Sequence, residues 1–169
     1  MSQIVEARAA ISPRGEGQSY WVWGDLYTLK VTGEQSGGAY AAMECEIGPG
    51  SGAPLHIHHA EDEILYVIEG EVRCRAGERE ELVRAGGLIF IPRGTAHAFR
   101  NEGATKARCL LALTPAGFER FLAAVGVEMS YEQALPPAIT SEELARATKI
   151  APSYSLELVE ALAERAASA

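Results

Sequence analysis

Through its first three quarters the chain is cut into runs too short to make packed helices. Turn-forming residues stand at Gly48-Pro49-Gly50-Ser51-Gly52, Gly70, Gly77, Gly86-Gly87, Pro92-Arg93-Gly94 and Asn101-Glu102-Gly103. Glycine reaches backbone angles closed to other residues and proline fixes φ and removes a donor, so each cluster ends one element and starts another. The runs between them read as strands. Met43-Glu44-Cys45-Glu46-Ile47 alternates apolar residues with carboxylates, and Val72-Arg73-Cys74-Arg75-Ala76 repeats the pattern with basic residues. Both are expected as half-buried strands, with Glu44 and Glu46 on the solvated face. Glu63 to Ile68 and Leu88 to Ile91 are apolar on nearly every position and predict strands covered on both faces. Many short strands at such spacing point to a sandwich or a small barrel.

From Thr114 onward the period changes. Phe118, Phe121, Leu122 and Val125 stand at i, i+3, i+4 and i+7, the apolar stripe of a helix that docks on the strand region. Thr140 followed by Glu143 is a capping box opening a second helix through about Lys149. Ser155 is read as the cap of a third, from Leu156 to about Ala167, after Pro152 has ended the previous element. Residues 1–169 are expected to form one domain, a barrel over about 20–114 and a helical extension over about 115–169, because some 50 residues with few aromatics bury little alone. Trp21 and Trp23 fall in a segment, Tyr20 to Val31, that predicts one or two opening strands whose aromatics serve core or dimer packing, or else a wall for ligand stacking.

The balance of 15 basic and 23 acidic side chains is a formal charge of -8, with the acids spread along the chain. Such a surface does not track phosphates, so no nucleic-acid partner is expected. Met1 to Gly17 holds no apolar run, which predicts neither a signal peptide nor a membrane span, and hence a cytoplasmic protein without a membrane partner. Three cysteines cannot all pair, and Cys45 and Cys74 occupy apolar positions, so all three are expected reduced and packed.

All four histidines lie between positions 56 and 97, and three of them crowd into four residues as His56, His58 and His59. In a strand, i and i+2 share a side, so His56 and His58 converge while His59 points away, solvated or supporting the site from outside. Glu63 follows at the start of the next apolar run, and His97 is the one histidine left to complete a set of four. Two imidazoles and a carboxylate on neighbouring strands suit a metal ion, although four buried polar groups satisfying one another is the alternative.

Glycines frame both groups. The first string is Gly50-x5-His56-x-His58-x4-Glu63-x6-Gly70, and the second is Gly86-x5-Pro92-x-Gly94-x2-His97-x3-Asn101. Together they resemble the paired signature motifs of the cupin superfamily, matching at every signature position, with an intervening stretch of 15 residues as short as in compact microbial members. The resemblance implies an all-β fold, a jelly-roll β-barrel with the C-terminal helices packed against it, and it makes His56, His58, Glu63 and His97 the four metal ligands. Three imidazoles and a carboxylate suit Fe, Mn, Ni, Co, Cu or Zn better than Ca or Mg, one divalent ion per chain. Four protein ligands leave one or two positions of an octahedral ion open, the arrangement of a catalytic site, and Glu63 doubles as candidate general base. Strand alternation places Leu65 and Val67 beside Glu63 and Phe99 beside His97, which predicts a mostly apolar substrate pocket.

The wording around the motifs, from Asp62-Glu63 through Glu69-Gly70-Glu71 to Pro92-Arg93-Gly94, is similar to that of single-domain bacterial cupins described as quercetin dioxygenase-like. That likeness implies metal-dependent dioxygenation of an aromatic or enolic small molecule, with dioxygen as co-substrate. One fold hosts many reactions, so two alternatives stand beside it: an oxygen-independent isomerase, cyclase or lyase, and a binding module without turnover. A homodimer is expected by analogy, through exchange of the Tyr20 to Val31 strand segment.

Overall fold

The computed structural model describes residues 6–129 and 136–159. Its strands are β1 (Ser19–Val22), β2 (Asp25–Val31), β3 (Ala41–Ile47), β4 (His56–His58), β5 (Asp62–Glu69), β6 (Glu71–Ala76), β7 (Arg79–Arg84), β8 (Leu88–Ile91), β9 (His97–Arg100) and β10 (Ala107–Thr114). Helix α1 (Phe118–Val125), strand β11 (Val127–Met129), helix α2 (Ser141–Ile150), a 3-10 turn (Ala151–Tyr154) and strand β12 (Leu156–Leu158) follow. They build two antiparallel sheets, ordered β11-β1-β2-β3-β10-β5-β8 and β12-β4-β9-β6-β7. The fold is all-β, as expected, with the few helices at the C-terminal side.

Period-two alternation decides which side chains lie between the sheets. Ala41, Met43, Cys45 and Ile47 of β3 face inward, and β10 opposes them with Ala107, Cys109, Leu111 and Leu113, in a register that sets Cys109 across from Cys45. Leu65 and Val67, Val72 and Cys74, Ile89 and Ile91, and Phe99 complete the buried layer. The three cysteines are buried and unbridged, as the sequence predicted. Burial above all pushes the Cys74 thiol up to about 12, so it is held neutral and unreactive. Gly52 is required by close approach: a Cβ there would lie 2.0 Å from the Phe99 carbonyl oxygen. The 48–54 loop is thereby laid against β9, where Ala53 accepts the Phe99 N–H.

Helix α1 buries its expected stripe, Phe118, Phe121, Leu122 and Val125, and α2 carries the expected capping box at Thr140 and Glu143. Three expectations need correction. The third helix is not formed where it was to begin, since Leu156–Leu158 is a strand paired with β4 and residues 160–167 lie outside the described residues. Ser155 sits at φ 55, a left-handed angle that ends the 3-10 turn, and β4 offers a free edge that competes successfully with helical propensity. The second correction concerns β5 and β8, which are covered on one face only. Ile64, Tyr66, Leu88 and Phe90 are 37 to 60% exposed, because among the described residues no helix crosses the outer face of this part of the sheet. The third is that Glu44 and Glu46 are half-buried and paired, with Arg108 at 3.4 Å and Lys106 at 3.2 Å, rather than freely solvated.

Candidate metal centre

His56 and His58 project inward from β4, and His97 from β9, with His56 and His97 directly opposite each other in register. Glu63 reaches them from β5, in the other sheet. The cluster therefore bridges the two walls of the barrel, and all four side chains are buried. One ligand atom from each lies within 4.8 Å of all the others. An octahedral ion with bonds of about 2.1 Å sets neighbouring donors about 3 Å apart and opposite ones about 4.2 Å apart, so the cluster fits such an ion after a small contraction.

Backbone carbonyls orient two of the rings. His56 Nδ1 donates to the Pro54 carbonyl at 2.7 Å and His97 Nδ1 to the Thr95 carbonyl at 2.8 Å, which leaves each Nε2 free to bind. His58 Nε2 and His97 Nε2 stand 3.2 and 3.3 Å from the same oxygen of Glu63, Oε2. Both ring nitrogens of His58, and Glu63 Oε1, are buried without a well-directed hydrogen-bond partner. Buried polar atoms are almost always satisfied, and donors aimed at a shared point rather than at one another are what a cation requires.

The electrostatics agree with that donor set. Burial, reinforced by the neighbouring His97 and His58, pushes the His56 pKa down to about 3, so this ring is neutral and its lone pair free. Burial also works against the charged form of His58, yet the carboxylates of Glu61 and Glu63 outweigh it and push that pKa up to about 9. For Glu63, burial is opposed by His58 and His97, which hold it as a carboxylate well below the usual range.

Leu65, Val67 and Phe99 hold the inward positions expected beside Glu63 and His97. They are sealed in the core, with Phe99 5.5 Å from the His97 ring, centroid to centroid. The cavity that reaches His56 is lined instead by residues such as Trp23, Phe118, Phe121, Leu156 and Leu158, and it encloses about 30 Å³. Helix α1 and β12 thus cover the metal end of the barrel: the Phe118 ring meets the His58 ring edge-on at 4.7 Å. Ser155 and Leu55 carbonyls accept the His59 and Val159 N–H groups, tying β12 to β4. His59 faces outward as expected and pairs with Glu157 at 2.9 Å across the same two strands. The sequence predicted that α1 docks on the barrel but not that it and β12 close the metal end, and it gave no sign of Glu61, a buried carboxylate on the far side of His58.

Two facing antiparallel sheets, with three imidazoles and a carboxylate meeting between them, define a β-barrel with a site able to hold a metal ion. The chain contains a cupin domain, matched over residues 43–113 by a family model of that description. It is 28% identical over 130 residues to quercetin 2,3-dioxygenase of Bacillus subtilis (strain 168), an alignment covering 77% of this chain and 38% of that protein. The chain thus spans well under half the length of that relative. Among solved structures it is similar to TT1209 from Thermus thermophilus, at 28% identity and a TM-score of 0.55 over 63% of this chain and 98% of that one. An RmlC-like cupin from Shewanella frigidimarina NCIMB 400 shares the fold, with a TM-score of 0.56 at 17% identity over 68% of this chain and 96% of that one.

Proposed function

We propose that the protein is a metal-dependent dioxygenase acting on an enolic or aromatic small molecule in a cytoplasmic setting. The observation that carries this reading is the buried quartet of His56, His58, Glu63 and His97, in which Glu63 Oε1 has no hydrogen-bond partner and His56 borders an apolar cavity. The similarity to a quercetin 2,3-dioxygenase over 77% of the chain supports it, and the three unbridged cysteines support a reducing compartment. A divalent transition metal held by the quartet would supply Lewis acidity and, if redox-active, a path for electrons between substrate and dioxygen.

The protein's own groups account for the remaining steps. Glu63 is held in its ionised form and can accept the hydroxyl proton of an enol at Oε1, while Oε2 stays with His58 and His97. The apolar rings of Trp23, Phe118 and Phe121 keep bulk water from a deprotonated, oxidisable substrate. Typical small-molecule pockets measure about 300 Å³ or more. A cavity of about 30 Å³ therefore requires α1 or β12 to shift before a flavonol-sized molecule enters.

That same small volume favours a second reading, an oxygen-independent isomerase, cyclase or lyase working on a substrate of few atoms. An oxygen electrode separates the two. After reconstitution with Fe, Mn, Ni or Co, oxygen uptake with a flavonol or smaller enol supports the dioxygenase, and turnover under anaerobic conditions supports the second reading. Metal binding without turnover of any substrate contradicts both and leaves a binding module. Glu63→Gln is expected to abolish turnover, and full activity with metal still bound would remove Glu63 as the base.

A further inference from the structure

We propose that Glu61 is a positioning residue for the metal centre, orienting His58 from the Nδ1 side of the ring and making its Nε2 a stronger metal donor. The inference rests on the metal-binding reading above and goes beyond it, since Glu61 belongs to neither signature string. Strand β4 ends at His58, and the turn through His59 and Ala60 brings Glu61 back beneath it. The Glu61 side chain is 5% exposed, its Oε2 lies 3.6 Å from His58 Nδ1, and that oxygen is buried without a hydrogen-bond partner. The neighbouring guanidinium, Arg93, is committed to Asp62 through two contacts of 3.0 Å. On its other side the carboxylate meets the backbone of Gly117, where an added Cβ would lie 3.3 Å from Oε1.

A carboxylate buried with so little compensation is costly unless it serves a charge or a strongly polarised donor. The three imidazoles explain what it serves. His56 and His97 each fix their tautomer by giving Nδ1–H to a backbone carbonyl, and His58 alone of the three faces a carboxylate there. An acceptor at Nδ1 keeps the proton on that nitrogen and leaves the Nε2 lone pair for the metal, and a charged acceptor makes that lone pair a better donor than a carbonyl does. The distance of 3.6 Å is longer than a hydrogen bond, so metal binding is expected to draw the ring and the carboxylate into line.

The test compares the full-length protein with Glu61→Gln, Glu61→Ala and, as a surface control, Glu102→Gln. Co(II) affinity is measured against a chromophoric chelator, together with the visible absorption of bound Co(II) and the thermal midpoint of the metal-free protein. Loss of such outer partners typically weakens metal binding by about 10- to 100-fold. The expected result is a loss of that order in Glu61→Ala, a smaller one in Glu61→Gln, an altered Co(II) spectrum in both, and an unchanged control. Wild-type affinity and spectrum in both Glu61 variants overturn the proposal while leaving the metal site intact. If Glu61→Ala does not fold, Glu61→Gln decides alone, since it keeps the shape and removes the charge. A wild-type protein that binds no Co(II) overturns the metal reading itself and this inference with it.

Discussion

Replacing Phe118 by alanine tests whether the C-terminal segment closes the metal end of the barrel. The ring is 9% exposed, meets His58 edge-on at 4.7 Å and stacks on Phe121 at 5.8 Å. Buried Phe→Ala changes cost about 3–5 kcal/mol. Phe118 already borders a cavity of about 30 Å³, so part of its perimeter lacks packing partners and the lower end, about 3 kcal/mol, is expected. Domains of this size hold roughly 5–15 kcal/mol, so the variant stays folded at room temperature. Its removal opens a path from solvent to His58. Extraction of bound metal by a chelator is expected to accelerate at least about tenfold, more than about 1.4 kcal/mol off the barrier. Leu144→Ala, buried in α2 away from the cavity, is the matched control: it costs about 2–5 kcal/mol and leaves the extraction rate unchanged. Equal extraction rates for the two variants, or a Phe118→Ala rate equal to wild type, would refute the cover.

Two further outcomes follow from the same structure. In the metal-free protein, the His58 pKa stands at about 9 against an ordinary 6.5, so its stabilising contribution is complete below pH 6.5 and is lost as pH rises through about 9. His56 works in the other direction: its pKa of about 3 makes its contribution complete above pH 6.5 and lost as pH falls toward 3. Thermal midpoints of the metal-free protein are thus expected to decline from pH 6.5 to 9, and those of the metal-loaded protein, in which the ion replaces the proton, to decline less; a rise in the metal-free midpoint over that range would contradict the assignment. Asn101 is fully buried, donates to the Ile47 and Thr105 carbonyls and accepts the Gly103 N–H, so Asn101→Ala is expected to cost about 2–4 kcal/mol by denaturant titration. A loss below about 1 kcal/mol would show that water replaces those bonds.

The parts of this structure that were legible in the sequence are those set by local period. Strands β3 and β6 alternate, and their apolar positions are the buried ones; α1 buries the four residues its spacing names. The ligand set was legible for a related reason, since i and i+2 on β4 must share a side and the remaining histidine had one place to go. What escaped notice is set by distant pairing. Leu156 to Leu158 is too short to show a period, and only the open edge of β4 makes it a strand. Ile64, Tyr66, Leu88 and Phe90 read as doubly covered because apolar content does not say what covers a face. Glu61 stood unnoticed between two ligands because its contact with His58 runs through a turn, where strand alternation does not apply.

The central claim is that His56, His58, Glu63 and His97 hold one metal ion inside the barrel, and elemental analysis of purified and reconstituted protein tests it most directly. One transition-metal ion per chain is predicted, with loss of occupancy in His56→Ala and in His97→Ala. Absence of metal after reconstitution, or full occupancy in either variant, would contradict it.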